Sequence, residues 1–335
     1  MGKKTGKQTY QLTNPPAIIS TGTVVGPFEG RGPLAEDFDE ILTDIRNGQS
    51  SFEKAERSLL IKACRLALDH AGFPSTQVDL FLAGDLLNQI ISASFSALDL
   101  GIPFLGLYGA CSTAALGLGL GTLLLDGGFA DTVLTATSSH HLAAERQYRY
   151  PTEYGGQRRP YQQWTVTGAG AALLSSTGEG PRITAVTFGK VIDLGSTDPL
   201  NMGAAMAPAA ADTIIRFFQD TGWEPNSFDL ILTGDLGQFG LELCRQELSE
   251  QGFDLGDNFM DCGLMIYDLQ KQDVHAGGSG CACSAVVTYG HVYRRFLRKE
   301  LNRVLLVATG SLHSPTTYQQ GENIPTIAHA VRIEA

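Results

Sequence analysis

LYGACSTAALGLGLGTLLLDGG, residues 107–128, is the stretch whose reading decides the fold. A glycine and an alanine lead into Cys111, then Ser112 and Thr113, and a small-residue apolar segment of helical character follows. This arrangement presents a thiol at a helix N-terminus, where unpaired backbone N–H groups and the dipole favour negative charge. Gly117 and Gly121 lie four apart, on one helical face. Glycine there costs ~1 kcal/mol against alanine, so close packing of another helix is expected as compensation. Two uses compete for Cys111: a nucleophile, or part of the wall of an anion-binding pocket.

Outward from this stretch the chain repeats itself. DLFLAGDLLNQ at 79–89 returns as DLILTGDLGQF at 229–239, and TVLTATSSHH at 132–141 returns as VLLVATGSLH at 304–313. The second pair matches His141 with His313, an offset of 172 that also lays Cys111-Ser112 on Cys283-Ser284. Each half reads as helix, strand ending in Gly-Asp, variable segment, glycine-rich turn, buried helix, strand. A duplication of that length is a βαβ-rich half-domain, not a solenoid. Phe52–His70 carries Leu59, Leu60, Ala63, Leu66 and Ala67 at helical spacing and stops at Ala71-Gly72-Phe73-Pro74. Its counterpart runs from Asp212 to Asp220 and stops at Thr221-Gly222. The turn-like STGEGPRI, 176–183, is the seam, giving halves of 1–178 and 179–335.

Composition narrows the function classes. The 335 residues are 43% hydrophobic with a net charge of −11, which lacks the basic footprint of a nucleic-acid binder. The first residues hold no apolar signal-peptide core, and no uncharged apolar run approaches the ~20 residues of a membrane span. A cytoplasmic chain without a transmembrane segment is expected. The six cysteines (64, 111, 244, 262, 281, 283) form no C-x-x-C pair, and Cys281/Cys283 lack zinc spacing, so no metal site and reduced, mostly buried thiols are expected. GAGAAL at 168–173 lacks the full dinucleotide fingerprint and reads as a close-packing strand, with no cofactor. HVYRRFLRKELNR, 291–303, reads as a solvated basic helix face, with docking to an anionic membrane as its functional alternative.

GACSTAALGLGLG resembles the nucleophile turn of thiolases and ketosynthases, and TVTGAGAALLS at 165–175 resembles their glycine-rich strand. The likeness narrows through FLAGDLLNQ, DGGFAD, ATSSHH, AERQYRYPTEYGGQ, TDPLNMGAAMAPAAADTI, NFMDCGLMIY, AGGSGCACSAVVT and LNRVLLVATG. Together, from about Gly6 to Arg332, these resemble the stage V sporulation protein AD family. The resemblance implies an α/β fold with thiolase-like duplicated βαβαβαββ halves, forming a five-layer α-β-α-β-α sandwich. It implies a homodimer, and a ligand, dipicolinic acid (pyridine-2,6-dicarboxylate), bound alone or as its calcium chelate. It further implies partners among the other stage V sporulation A membrane proteins, at the forespore or inner spore membrane.

A condensing enzyme needs a thiolate plus His and Asn to stabilise the oxyanion. The resemblance places that His on Gly234 or Asp235 and that Asn on Ser279, so Cys111 is kept while its partners are absent. A non-enzymatic binding protein is therefore expected, with no catalytic residue; the alternative is an acyl-CoA-dependent condensing or thiolytic enzyme using Cys111. The pocket is expected between two helix N-termini, after Cys111 and after Cys283, whose free N–H groups suit an anion. The candidate ligand-binding residues are Asn88, Gln89, Cys111, Ser112, Thr113, Ser139, His140, Arg146, Ser279, Gly280 and Cys281. Arg146 and Arg149 are candidate carboxylate clamps, and Tyr148 or Tyr150 candidate stacking rings. Asp85 and Asp235 end equivalent strands and are expected to hold a turn or cap a helix.

Overall fold

The computed structural model describes residues 2–148 and 157–335. In the first half the strands are β1 (Lys3–Thr5), β2 (Thr9–Gln11), β3 (Ala17–Val25), β4 (Glu40–Ile41), β5 (Leu80–Asp85), β6 (Phe104–Gly106), β7 (Thr132–Ser139), β8 (Trp164–Thr165) and β9 (Gly168–Ser175). Its helices are α1 (Phe52–Ala71), α2 (Ile91–Leu100), α3 (Thr113–Asp126) and α4 (His141–Tyr148). The second half has β10 (Arg182–Phe188), β11 (Leu230–Thr233), β12 (Phe259–Asp261), β13 (Gly278–Ser279), β14 (Arg303–Ser311) and β15 (Thr326–Glu334). Its helices are α5 (Met202–Thr221), α6 (Gly237–Glu250), α7 (Cys262–Met265), α8 (Cys281–Val286), α9 (Tyr293–Leu297) and α10 (Pro315–Gln319), with a π-helical stretch, Val287–Val292, joining α8 to α9.

The repeat predicted from sequence is the repeat of the sheets. The strand path runs β12-β11-β14-β15-β10-β3-β9-β7-β5-β6 and divides at β10/β3, which share a single register pair, Arg182 with Ala17. On each side the parallel strands (β7-β5-β6 and β14-β11-β12) are joined to antiparallel ones. Helices α1 and α2 cover the outer face of the first sheet, α5 covers that of the second with α6 packed on it, and α3 and α8 lie between the two. That order is a five-layer thiolase-like α/β sandwich. One crossing departs from it: the β1–β2 hairpin pairs β10 of the other half, and the Asp220 carboxylate accepts the N–H groups of Lys7, Gln8 and Thr9.

Helix α1 follows its sequence signals closely. Ser51 accepts the Lys54 N–H as N-cap, and Gly72 ends the helix at φ 61°, where a β-carbon is penalised. The corresponding α5 begins ten residues before the expected Asp212, since the alanine-rich segment from Met202 continues helically through Pro208 and buries Met206, Ala207, Ala210 and Ile214. The glycines of α3 face strands, and this corrects the expected helix–helix contact. A β-carbon at Gly117 would stand 2.2 Å from Thr135 Oγ1 on β7, and one at Gly119 would stand 2.7 Å from Val186 on β10. Small residues on both faces let one helix fit between two sheets. On β9, a β-carbon at Gly170 would meet Tyr289 and Ala285, the close packing expected of GAGAAL.

The basic face of 291–303 is internally paired. Arg294 meets Asp39, Arg295 and Arg298 meet Glu300, and His291 meets Asp37. No helix among the described residues is long and apolar enough to cross a membrane. All six cysteines are buried free thiols. Among the described residues no group of three or more His, Cys, Asp or Glu side chains is arranged to hold a metal ion.

Candidate functional site

The turn before α3 carries Cys111. Ala110 adopts φ 48°, a left-handed conformation that costs a non-glycine residue about 1 kcal/mol or more, and it throws Cys111 to the surface of a cavity at the meeting of the halves. From the second half, β13 pairs in parallel with β8, so Ser279 lies beside Thr165, and Gly280 at φ 102° turns the chain into α8. The resulting inner chamber, narrow and partly open to solvent, is lined by Cys111, Ser279, Gly280, Thr165, Ser311, His313, Tyr108, Tyr148, Leu86, Ala144 and Met202. An outer groove of about 570 Å³ shares Tyr108, Tyr148 and His313 with it and adds Leu87, Asn88, Gln89, Ile90, Ser314 and Pro315. The two tyrosine hydroxyls lie 3.4 Å apart, and that of Tyr148 also donates to the Leu86 carbonyl. The rings of Tyr148 and His313 lie 5.5 Å apart.

Several of the N–H groups expected to be free at the two helix starts are already taken. Ser112 N–H donates to Gly109 O at 3.0 Å and Thr113 N–H to Ala110 O at 3.2 Å, and both hydroxyls turn back onto the same carbonyls. Ser112 and Thr113 are therefore internal braces of the Cys111 turn. The second helix starts at Cys281, not after Cys283, so the sequence offset that aligns Cys283 with Cys111 does not hold in space. Its first donors are taken: Gly280 N–H by Asp235 Oδ2 at 3.0 Å, Ala282 N–H by Ser139 Oγ at 3.1 Å, and Cys283 N–H by Gly280 O at 3.0 Å.

The remaining candidates separate clearly. Asn88 and Gln89 line the outer groove. Ser139 is buried and pegs Val166 O to the start of α8. His140 is buried on the far side, with Nε2 on Ile45 O at 2.9 Å and its ring on Phe52, and burial lowers its pKa so that it stays neutral. Arg146 is turned by α4 toward α1, 3.9 Å from Glu53 and over the Phe52 ring, outside the chamber lining. The Cys281 thiol is fully buried behind Cys111 and donates to Ala110 O at 2.9 Å. Arg149 and Tyr150 lie outside the described residues. Sequence reasoning missed Leu86, Tyr108, Ala144, Thr165, Met202 and Ser311 in the chamber; they come from scattered elements, with no local pattern to flag them.

The electrostatics beneath the chamber are acidic, against the electropositive pit expected. Asp85 caps the turn after β5 through Leu87 N–H and Ala93 N–H, both at 2.8 Å, as its strand-end position suggested. Burial pushes its carboxyl up to about 6, and burial together with the Asp85 charge raises neighbouring Glu56 well above the usual range. In the second half Asp261 takes the equivalent capping role, accepting Leu236 N–H and Gly237 N–H. Asp235 instead turns inward to Gly280 N–H and the Thr309 hydroxyl, and burial pushes it up to about 7. Burial, then the Asp235 charge and Cys281, raise Cys111 well above an ordinary thiol. Cys111 is therefore a protonated thiol at neutral pH, a poor nucleophile. Gly234 is tightly packed, since a β-carbon there would stand 3.0 Å from Thr309 N.

The comparisons with known proteins agree with this geometry. The family model described as stage V sporulation protein AD matches residues 6–334. The chain is 51% identical over 332 residues to stage V sporulation protein AD of Bacillus subtilis (strain 168), covering 99% of this chain and 98% of that protein. Among solved structures, it resembles 3-oxoacyl-[acyl-carrier-protein] synthase III from Aquifex aeolicus VF5 (TM-score 0.58, 12% identity, 96% of this chain and 100% of that one). It also resembles acetyl-CoA acetyltransferase from Syntrophomonas wolfei (TM-score 0.61, 9% identity, 96% and 100%). At those identities the structures speak for the fold alone, whereas the full-length sequence matches speak for kinship. With the duplicated halves, the buried Cys111 turn and these matches in hand, the chain belongs to the stage V sporulation protein AD family, a family of sporulation proteins on a thiolase-like fold.

Proposed function

We propose that the protein captures dipicolinic acid non-covalently in the chamber above Cys111, for uptake into the developing spore. One observation carries the reading: a chamber walled by Tyr108, Tyr148 and His313 and edged by the hydroxyls of Thr165, Ser279 and Ser311, over a thiol that stays protonated. A flat heteroaromatic ring suits aromatic walls, and its carboxyls suit hydroxyl donors. The family resemblance supplies the ligand's identity. Isothermal titration with dipicolinate, with and without calcium, tests the reading. Saturable one-to-one binding is expected, and a flat isotherm in both conditions overturns it.

A second reading, acyl transfer through Cys111, draws on His313 lining the same chamber as the thiol. Intact-mass analysis after exposure to acyl-CoA donors decides it: a stoichiometric Cys111 adduct with turnover would favour the enzyme.

The same proposal includes a homodimer, and docking to the other stage V sporulation A proteins at the forespore or inner spore membrane. Support for the dimer comes from β6, an open sheet edge with Leu105 exposed, beside Ile91, Phe95 and Leu98 of α2, the last 75% exposed. An unpaired edge flanked by apolar side chains is a liability that a two-fold partner would cover. Light scattering on the eluting protein should give twice the chain mass, and Leu105→Arg should halve it.

A further inference from the structure

The charge beneath the chamber floor is the feature to which an anionic ligand must answer. Asp235 is 1% exposed; its Oδ2 accepts Gly280 N–H at 3.0 Å, its Oδ1 accepts the Thr309 hydroxyl at 2.7 Å, and its charge acts on the Cys111 thiol. Cys111 and Gly280 are themselves chamber wall, so this carboxyl lies one layer below whatever rests on them. Among the described residues, the elements packed around it bring no cation. Asp261 approaches from the end of β12, Thr309 from β14, Cys111 from the turn before α3, Gly280 and Cys283 from α8, and Gln163 binds its backbone carbonyl at 2.6 Å. An ionised Asp235, 1% exposed, would face a bound carboxylate with no positive charge from the described residues between them.

We propose that Asp235 sets the charge state of the ligand the chamber accepts, taking up a proton when an anionic carboxylate settles above Cys111. The inference rests on the ligand reading above and specifies how that site discriminates. A protonated Asp235 keeps its contacts to Gly280 and Thr309 and presents a neutral floor. A carboxyl buried without a cation and held up to about 7 fits such uptake near neutral pH. By linkage, one proton taken up with the ligand makes affinity fall by up to about tenfold per pH unit above Asp235's ionisation, and not below it. The other titratable side chains on the wall are Cys111, His313, Tyr108 and Tyr148. All four are retained when only Asp235 is changed, and burial, the largest cause of the raised Cys111 pKa, persists in the variant, so a difference between two curves reports on Asp235.

The experiment is calorimetric titration of dipicolinate into the wild-type protein and Asp235→Asn, from about pH 5.5 to about pH 9, where its carboxyls are ionised. Asparagine keeps the shape and can still accept Gly280 N–H. Wild-type affinity should fall above about pH 7 while the variant's stays flatter, leaving the variant about tenfold tighter near pH 8.5. Parallel curves, or a variant weaker at every pH, overturn the inference while leaving the ligand reading standing. No saturable binding by either protein at any pH overturns the ligand reading, and this inference with it. Should the variant fail to fold, the wild type is titrated near pH 8 in two buffers of different ionisation heat. Uptake of about one proton supports the proposal, and uptake near zero overturns it.

Discussion

Gly310 on β14 and Gly109 before Cys111 meet so closely that a β-carbon on Gly310 would stand 2.2 Å from the Gly109 carbonyl oxygen and 3.0 Å from Ser112 N. The strand of one half thus fixes the thiol-bearing turn of the other. Gly310→Ala should cost about 1–3 kcal/mol, because the obstacle is backbone that cannot swing aside. Thermal unfolding should show the loss, and dipicolinate affinity should fall with it; an unchanged melting temperature would mean the two halves part easily here.

Asp235 also predicts a pH dependence of stability. Its carboxyl is raised to about 7 in the folded protein, against about 3.9 when unfolded. The folded state therefore binds more protons between those values, and stability falls as pH rises from about 4 to about 7. Asp85 and Asp261, both raised to about 6, act in the same direction. Asp235→Asn should gain on the wild type by a few kcal/mol across that window, with ~4 kcal/mol as the ceiling. Urea unfolding at about pH 4.5 and about pH 8 measures it, and a constant difference between the two proteins would contradict the burial argument.

Cys111 should behave as wall rather than warhead. It is 7% exposed and its thiol is raised by burial, so alkylation near pH 8 should be at least tenfold slower than for a small free thiol. Cys111→Ala should fold and hold dipicolinate within about tenfold of the wild type, since one small side chain is removed from the wall. Fast labelling, or abolished binding in a folded variant, would restore a reactive role.

Arg146 and Tyr148, read as carboxylate clamp and stacking ring, share one helix, but only Tyr148 lines the chamber. Arg146→Ala should leave dipicolinate affinity unchanged and cost at most about 1 kcal/mol, because its contacts are to Phe52 and Glu53 on the outer face. Tyr148→Ala should weaken binding by about tenfold or more, since the ring lines both the chamber and the groove. The two affinities reversed would move the site to the other face of α4.

The duplication made the fold legible: two Gly-Asp strand ends and two matching late strands placed the sheets before any coordinates. Helix α1 was readable to within a residue because spacing, cap and stop signal agree. Helix α5 was not, since Pro208 reads as a helix boundary, whereas the strongly helix-forming alanines around it carry the helix through and bury against the second sheet. In the site, Cys111, Ser279 and Gly280 were readable because a sharp turn before a helix leaves a local mark. The link from Asp235 to Gly280 spans 45 residues, and it replaces the free helix start that those local marks imply. Arg146 misled for a related reason: a basic residue near a site in sequence takes its direction from the helix that carries it.

The β1–β2 hairpin carries a consequence for how the molecule is made. Strand β2 pairs Ala185, Val186 and Thr187, and the backbone of residues 7–9 is held by Asp220. Beyond their own hairpin, β1 and β2 find a sheet partner only in β10, which follows every strand of the first sheet in the sequence. The hairpin's docking therefore comes after those strands are made and fastens one half onto the other.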